Sequence, residues 1–262
     1  MSHGGRLSVD GGSVDNDVGG TVVLNAGWLS TRNGFSNSGT VFAMNGGGRV
    51  SGRYFNESTG ATYNSGGRLA FDGEVVNAGL MSASGGARSV YRGEVVAFGV
   101  FETTDASSAH RFEGRVRANA IGSPLAMGNT EFAGELALSD LPLLPALRAA
   151  NGGFASHAAF AFQGSVLFDT TSSLTLDLQL LHPGDYRAGD VIDLFSYGEV
   201  PQGRFGRLTL PTLGTGLTWD TSGLYSVGEL RVAAVPEPKS VAMLAAGLAL
   251  LAVTCRRRAT AR

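Results

Sequence analysis

The sequence predicts an all-β protein: a Gly/Asn-rich, β-helix-like solenoid with a β-strand cap, followed by one C-terminal transmembrane helix. Three observations predict this fold. The first half repeats near every 20 residues, its apolar residues alternate with polar or small ones, and one apolar run lies close to the C-terminus. The 262 residues include 39 glycines and only 16% charged residues, and the hydrophobic fraction of 43% is enough to form a buried core.

A glycine recurs at nearly constant intervals between a polar residue and a strand-like pair. It stands at Gly52, Gly73, Gly93, Gly114 and Gly134, at intervals of 21, 20, 21 and 20 residues, and Gly164 repeats the local pattern later. Asparagine runs in phase with it, at Asn16, Asn37, Asn56 and Asn77, before Ala97 takes the position. Fixed repeats of this length are typical of solenoids, in which each coil stacks about 4.8 Å above the last.

The apolar residues of the repeats alternate as in short strands. They are Val41, Val50, Leu69, Phe71, Val75, Val90, Val95, Phe112, Val116, Phe132 and Leu136. Each repeat is therefore predicted to contain two or three short strands joined by Gly and Asn corners. Glycine reaches positive φ at low cost, and asparagine tolerates left-handed backbone and can form stacked amide ladders. A Gly-rich β-sandwich with coincidental spacing is the alternative.

The chain divides into four predicted segments. The repeats occupy residues 1–140, an apolar, Pro-punctuated loop is inserted at 141–158, and a β-rich capping region covers 159–232. Within this region residues 173–181 alternate as a strand, 182–185 form a turn, and 191–197 and 207–210 are strands. The last segment, 233–262, begins with a brief linker at 233–235.

The last segment has the pattern of a membrane stop signal. Its apolar run, Ser240 to Cys255, has 16 residues, which as a helix span about 24 Å, less than a hydrocarbon core of about 30 Å. Arg256, Arg257 and Arg258 close the run within the basic tail 256–262. Because positive charge stays on the cytoplasmic side, residues 1–234 are predicted to lie outside. A buried C-terminal helix of a soluble domain is the alternative.

Pro236-Glu237-Pro238, one short apolar span and a terminal arginine cluster together resemble a PEP-CTERM sorting signal. The resemblance implies an exosortase-type membrane protease as partner, with Pro236, Glu237 and Pro238 as the recognised motif and the three arginines as the basic stop. It also implies a Gram-negative bacterium, an inner-membrane intermediate, and a final place at the cell surface or outside the cell. Proteins with this signal are associated with exopolysaccharide and biofilms, so extracellular polysaccharide is a second expected partner.

Two further features concern the ends of the exported part. Residues 189–232 resemble the closing segment of PEP-CTERM and autotransporter-like β-solenoid proteins, which implies a cap on the open end of the stack. The first 20 residues contain no apolar stretch of the kind that an export signal needs. We therefore expect a true start and a signal peptide upstream of Met1.

The sequence predicts no catalytic, cofactor-binding or metal-binding residues. The four histidines, His3, His110, His157 and His182, have no metal-binding spacing and are expected at the surface or in turns. The single cysteine, Cys255, lies in the apolar run, which leaves none for a disulfide outside. Without Lys239 and the four arginines of the basic tail, 15 basic residues face 22 acidic ones, and this excess of negative charge argues against nucleic acid as a partner.

Charged residues that flank the repeating glycines are predicted to stack on one side of the solenoid. The carboxylates are Asp72, Glu74, Glu94, Glu113 and Glu135, beside Arg53, Arg92, Arg111 and Arg115. Their alternating signs favour a solvated ladder of cross-strand pairs over a catalytic face. The predicted function is therefore an exported, non-catalytic surface or extracellular-matrix protein. A polysaccharide-degrading or -modifying β-helix enzyme is the alternative.

Overall fold

The computed structural model describes residues 5–118, 125–139, 160–177 and 182–235, which form a β-solenoid. These residues contain strands β1 to β26, numbered in chain order, and one 3-10 turn at Pro183–Asp185. The predicted all-β solenoid is confirmed, and so is the predicted turn at 182–185. No helix within the described ranges has the length and apolarity to span a bilayer, and the run at 240–255 lies outside them.

Nine short parallel strands form the first face of the solenoid, each in register with the strand of the next coil. They are β2 (Val14–Asn16), β4 (Phe35–Asn37), β6 (Tyr54–Asn56), β8 (Val75–Asn77), β11 (Val95–Ala97), β14 (Val116–Ala118), β17 (Glu135–Ser139), β20 (Ser173–Asp177) and β24 (Arg207–Thr209). Parallel stacking at a constant repeat explains why the same residue type recurs at the equivalent position of successive coils.

The second and third faces belong to one sheet of 14 strands. Three long strands run along both faces: β3 (Thr21–Thr31), β5 (Thr40–Ser51) and β7 (Ala61–Phe71). Later coils divide the sheet, with β9 (Leu80–Ser84), β12 (Val100–Thr103), β15 (Leu125–Met127), β18 (Phe160–Phe162) and β22 (Phe195–Tyr197) on the second face. The third face contains β1 (Arg6–Val9), β10 (Arg88–Tyr91), β13 (Ala109–Phe112), β16 (Thr130–Phe132), β19 (Val166–Phe168) and β23 (Gln202–Gly203).

Inward side chains of the three faces meet in one continuous core. All eleven apolar residues that the alternation singled out lie in strands and are buried. An aromatic column runs through the coils at the ends of the third-face strands, with ring-centroid distances of 5.2 Å from Phe71 to Tyr91, 4.8 Å from Tyr91 to Phe112 and 5.4 Å from Phe112 to Phe132. Stacked rings at the coil spacing add attraction beyond the area they bury.

The asparagines of the repeat form the predicted amide ladder. Each donates a side-chain hydrogen bond to the next, over 2.7 Å from Asn16 to Asn37, 2.8 Å from Asn37 to Asn56 and 2.8 Å from Asn56 to Asn77. Asn77 ends the ladder because its neighbour in the next coil is Ala97, and its amide donates instead to the Val100 carbonyl at 3.2 Å. The ladder pairs side-chain amides that are buried at the end of the first face.

The coils continue beyond the predicted end of the repeats. Strands β18, β19 and β20 pair with β15, β16 and β17, so part of the predicted capping region 159–232 extends the solenoid. The inserted loop at 141–158 lies outside the described residues. Gly164 does not continue the glycine repeat: β20 places Ser172 next to Gly134, and Gly206 follows Ser172. The sequence around Gly164 resembles the earlier repeats, but the insertion before it breaks the 20-residue interval, so the likeness led to the wrong assignment.

A small antiparallel sheet closes the C-terminal end of the stack. Its strands are β21 (Val191–Asp193), β25 (Leu217–Asp220) and β26 (Glu229–Ala234), with β26 in the middle. The predicted strand 191–197 is thus two strands, because β21 joins the cap and β22 the last coil. Antiparallel strands end the parallel ladder, which otherwise leaves an edge open to association. The predicted linker at 233–235 is wrong, since β26 continues through Ala234.

Candidate functional site

The predicted sorting residues follow the cap directly. Pro236, Glu237 and Pro238, like Arg256 to Arg258, lie outside the described residues, which end at Val235. The backbone N–H of Val235 donates to the Gly216 carbonyl oxygen at 2.8 Å, so it still belongs to the sheet. The folded domain therefore reaches the sorting motif without an intervening linker.

The charged residues that flank the glycine corners form ion pairs between coils. All nine predicted members, from Arg53 to Glu135, have an oppositely charged partner. Seven residues form one continuous chain, which in order of contact runs Arg49, Asp72, Arg92, Glu113, Arg111, Glu131 and Arg88. Three separate pairs join Arg53 to Glu74, Arg117 to Glu94 and Arg115 to Glu135. The predicted ladder of cross-strand pairs is confirmed.

Asp72 shows what this pairing does to a carboxylate. Its two oxygens accept hydrogen bonds from different arginines, Arg92 at 2.7 Å and Arg49 on the other side, and Ser51 donates at 3.0 Å. Burial raises the pKa of Asp72, but these hydrogen bonds outweigh it and hold the pKa below its usual range. A general acid needs a raised pKa. Asp72 is therefore a structural anion that links its own coil to the coils before and after it.

Four members of the charged surface escaped sequence analysis: Arg49, Arg88, Arg117 and Glu131. The repeat gave a signal for Glu131, because it lies 20 residues after Arg111, and the register pairs the two. Arg88 gave none, since it contacts Glu131 across a separation of 43 residues and skips a coil. A long, flexible arginine can reach past the neighbouring strand, and repeat spacing alone does not reveal such a contact.

A polar groove of about 290 Å³ crosses five successive strands of the third face, from β10 to β23. At about 4.8 Å per step it is about 19 Å long. Its lining includes Arg88, Ser107, Asn129, Glu131, Ser165, Leu167 and Gln202. Asn129 holds its wall together, because its amide donates to the Asp105 and Ser108 carbonyls at 3.0 Å and accepts from the Ser165 N–H at 2.9 Å. Sequence analysis did not identify this groove, whose residues come from separate coils.

His110 was expected at the surface, and this prediction is wrong. The ring is fully buried in the core. Its Nε2 lies 2.8 Å from the Glu102 carbonyl oxygen, which can only accept, so Nε2 carries the proton and Nδ1 accepts from the Tyr91 hydroxyl at 3.0 Å. His182 is exposed at the turn, as predicted, and His3 and His157 lie outside the described ranges. Over the described ranges, no three His, Cys, Asp or Glu side chains cluster as metal ligands.

The buried imidazole makes the stability of the solenoid depend on pH. Burial lowers the pKa of His110 to about 4, against the small opposing effect of its bond to Glu102. Between about pH 6.5 and pH 4 the unfolded chain binds a proton that the folded chain excludes. The free energy of unfolding therefore decreases as the pH is lowered through this range, by about 3 kcal/mol in total. Urea unfolding at pH 7, 5.5 and 4.5 measures this loss.

His182→Gln serves as the control for His110→Gln, because both remove one histidine but only His110 is buried. We expect His110→Gln to flatten the pH dependence between pH 7 and 4.5 and His182→Gln to leave it unchanged. Equal slopes for the wild type and His110→Gln contradict the assignment of a neutral, proton-excluding His110.

Comparison with known proteins concerns the C-terminal segment. The family described as the PEP-CTERM protein-sorting motif matches residues 234–258. No curated protein and no solved structure is similar enough to this chain to match it. The matched range contains the proline–glutamate–proline triplet, the apolar run and the arginine cluster that the sequence analysis singled out. The chain is therefore a β-solenoid that carries a PEP-CTERM protein-sorting motif at its C-terminus.

Proposed function

We propose that this protein is exported, held at the inner membrane of a Gram-negative bacterium through residues 240–255, and processed by exosortase. It then serves as a non-catalytic protein of the cell surface or extracellular matrix, in contact with the polysaccharide of a biofilm. The observation that carries the proposal is the sorting motif at 234–258, which directly follows a folded, capped solenoid. Such a solenoid is a stiff body whose repeated surface suits weak contacts at many points.

The sorting part of the proposal predicts the fate of motif variants. Glu237→Ala combined with Pro238→Ala removes the recognised side chains but keeps the apolar run and the arginines. We expect this variant to stay in the membrane fraction at full length, with processing reduced at least about tenfold. Fractionation and immunoblotting of a bacterium that carries exosortase measure this. Unchanged release of the shortened protein contradicts the sorting proposal.

The groove on the third face supports a polysaccharide as the ligand. It crosses five stacked strands, a length that suits a linear polymer, and it exposes Arg88, Leu167 and Gln202 beside serine hydroxyls. Arg88 and Glu131 neutralise one another, so the lining favours hydroxyl groups over a strongly charged polymer. Hydrogen-bond donors and acceptors beside a small apolar surface are what a sugar chain needs from a protein.

Gln202→Ala tests the groove, with Gln163→Ala as its matched control. Both glutamines are exposed, but only Gln202 lines the groove. We expect Gln202→Ala to weaken binding to exopolysaccharide purified from the producing bacterium by about threefold to tenfold, the effect of one lost hydrogen bond. Sedimentation with the polymer measures the affinity. Equal binding of both variants removes the groove from the proposal.

A β-helix enzyme that degrades or modifies polysaccharide is the alternative. The charged residues that flank the glycine corners support the non-catalytic function, because their carboxylates pair with arginines and the pKa of Asp72 is lowered. Incubation of the processed protein with the same exopolysaccharide, followed by chromatography of the products, distinguishes the two functions. An intact polymer is expected, and discrete oligosaccharides overturn the non-catalytic assignment.

A further inference from the structure

The last strand of the cap and the sorting motif share residues. The match to the motif begins at residue 234, and Ala234 is the last residue of β26. Ala234 lies opposite Leu217, and Ala233 opposite Thr218, in the antiparallel pair of β26 and β25. Val235 adds one more hydrogen bond, to Gly216. The residues immediately before Pro236 are therefore held in a sheet.

The tether between this sheet and the membrane is short. Only residues 236–239 separate Val235 from the apolar run that begins at Ser240. Four residues reach at most about 14 Å when fully extended, so the cap of the tethered precursor lies close to the membrane surface. A membrane protease that reads Pro236 to Pro238 needs access to the backbone on both sides of them. On one side the apolar run restricts this access, and on the other side the sheet does.

We propose that the C-terminal end of β26 is a gate for exosortase: Ala233, Ala234 and Val235 must separate from β25 before the protease can bind the motif. The inference rests on the proposed sorting function and adds to it a conformational step within the folded cap. The sorting motif is then read from a locally opened form of the domain, and the population of that form sets the rate of processing.

Burial along β26 defines how far this opening extends. Ala234 and Val235 are exposed and Ala233 is half-buried, so their separation from β25 costs hydrogen bonds but little apolar surface. Val232 and Leu230 are buried in the core of the cap and hold the rest of the strand. Strand ends with few buried contacts open at low free energy while the core stays closed. Opening therefore releases three residues without unfolding the solenoid.

A pair of disulfides tests the gate. Leu217→Cys with Ala234→Cys links the two strands at the end that must open, while Asp193→Cys with Glu229→Cys links β21 to β26 at its other end. Both are pairs without mutual hydrogen bonds, next to the bonded pairs 216/235 and 194/228, and such pairs have the short Cα separation that a disulfide needs. Both proteins also carry Cys255→Ala, which removes the native thiol.

Full-length precursor is incubated with membranes that contain exosortase, in oxidised and reduced form, and its conversion to the shorter product is followed by mass spectrometry. We expect the oxidised 217/234 protein to be processed at least about tenfold more slowly than its reduced form. The oxidised and reduced 193/229 proteins should be processed at equal rates. Equal rates for the two forms of the 217/234 protein overturn the gate.

A linker separates this gate from other effects of the disulfide. Six Gly/Ser residues inserted between Val235 and Pro236 give the motif free backbone while the strand end stays locked. The oxidised 217/234 protein with the linker should return to the rate of its reduced form, and a persistent block overturns the proposal. Processing of the Glu237→Ala, Pro238→Ala variant in the same membranes instead refutes the sorting function itself, so the two failures are distinguishable.

Discussion

Gly114→Ala is expected to lower the free energy of unfolding by more than about 4 kcal/mol, a large fraction of the roughly 5–15 kcal/mol that stabilises a typical folded domain. A Cβ at this position lies 2.1 Å from the Gly93 carbonyl oxygen and 2.7 Å from that of Arg92. Both atoms are backbone of the preceding coil and cannot move aside as a side chain does. The coils would have to separate at this corner, which breaks the pairing of β11 with β14 and the aromatic column beside it.

Gly12→Ala is the matched control for Gly114→Ala. A Cβ at Gly12 meets nothing within 4 Å, so the same added methyl group should change stability by less than about 0.5 kcal/mol. Urea unfolding of both variants, followed by far-ultraviolet circular dichroism, measures the difference. A Gly114→Ala protein as stable as Gly12→Ala would mean that the coils do not stack through this glycine corner.

The glycine corner could be predicted because stacking brings residues that lie one repeat apart in sequence into direct contact. Gly73, Gly93, Gly114 and Gly134 each place a would-be Cβ within 2.2 Å of the carbonyl oxygen of the glycine one coil before. Only glycine fits where two backbones approach this closely, so a glycine recurs at this position in each of these repeats. Ser172 takes the place after Gly134, and there the interval fails as a guide because the insertion lies between them.

The long strands β3, β5 and β7 could not be predicted from local sequence. Glycines at 46–48 and 66–67 indicate a turn, and Gly47 and Gly67 indeed have positive φ of 79° and 91°. Yet β5 pairs with β3 and with β7 both before and after this bend, and only its register with β3 shifts between Met44 and Gly48. Whether a glycine pair ends a strand or bends it depends on the coils above and below. Local sequence propensity carries no information about those coils.

The candidate sites divide in the same way. The sorting motif is linear, so a short ordered pattern identifies it. Ion pairs between residues one coil apart can be predicted from the repeat. The Arg88–Glu131 contact and the groove can be identified only in the folded structure. The burial of His110 also needs the folded structure, because its two partners are Tyr91 in the neighbouring strand β10 and Glu102 in strand β12 of the second face. Contacts that repeat are predictable, and contacts made once are not.

Asn56→Asp is expected to lower the free energy of unfolding by about 3–5 kcal/mol at pH 7. Asn56 is buried in the middle of the amide ladder, where its Nδ2 donates to Asn77 at 2.8 Å and to the Leu80 carbonyl at 3.1 Å, and its Oδ1 accepts from Asn37 at 2.8 Å. A carboxylate has the same shape but cannot donate. Neither donated hydrogen bond could form, and a negative charge would lie against the Asn77 oxygen.

The pH dependence of Asn56→Asp distinguishes the ladder from simple crowding. Burial beside acceptors raises the pKa of the new carboxyl group, so the folded variant binds a proton more readily than the unfolded chain, and stability lost at pH 7 returns as pH falls. The protonated group can again donate one hydrogen bond along the ladder. Urea unfolding of variant and wild type at each pH measures the difference, which cancels the contribution of His110.

Asn33→Asp is the matched control for the ladder, because Asn33 is exposed and the same exchange there adds only a solvated charge. We expect it to change the free energy of unfolding by less than about 0.5 kcal/mol at every pH. If Asn56→Asp is equally harmless, or if its cost does not shrink toward pH 4, the buried amides do not hold the coils together. The register of the first face must then come from the glycine corner and the aromatic column alone.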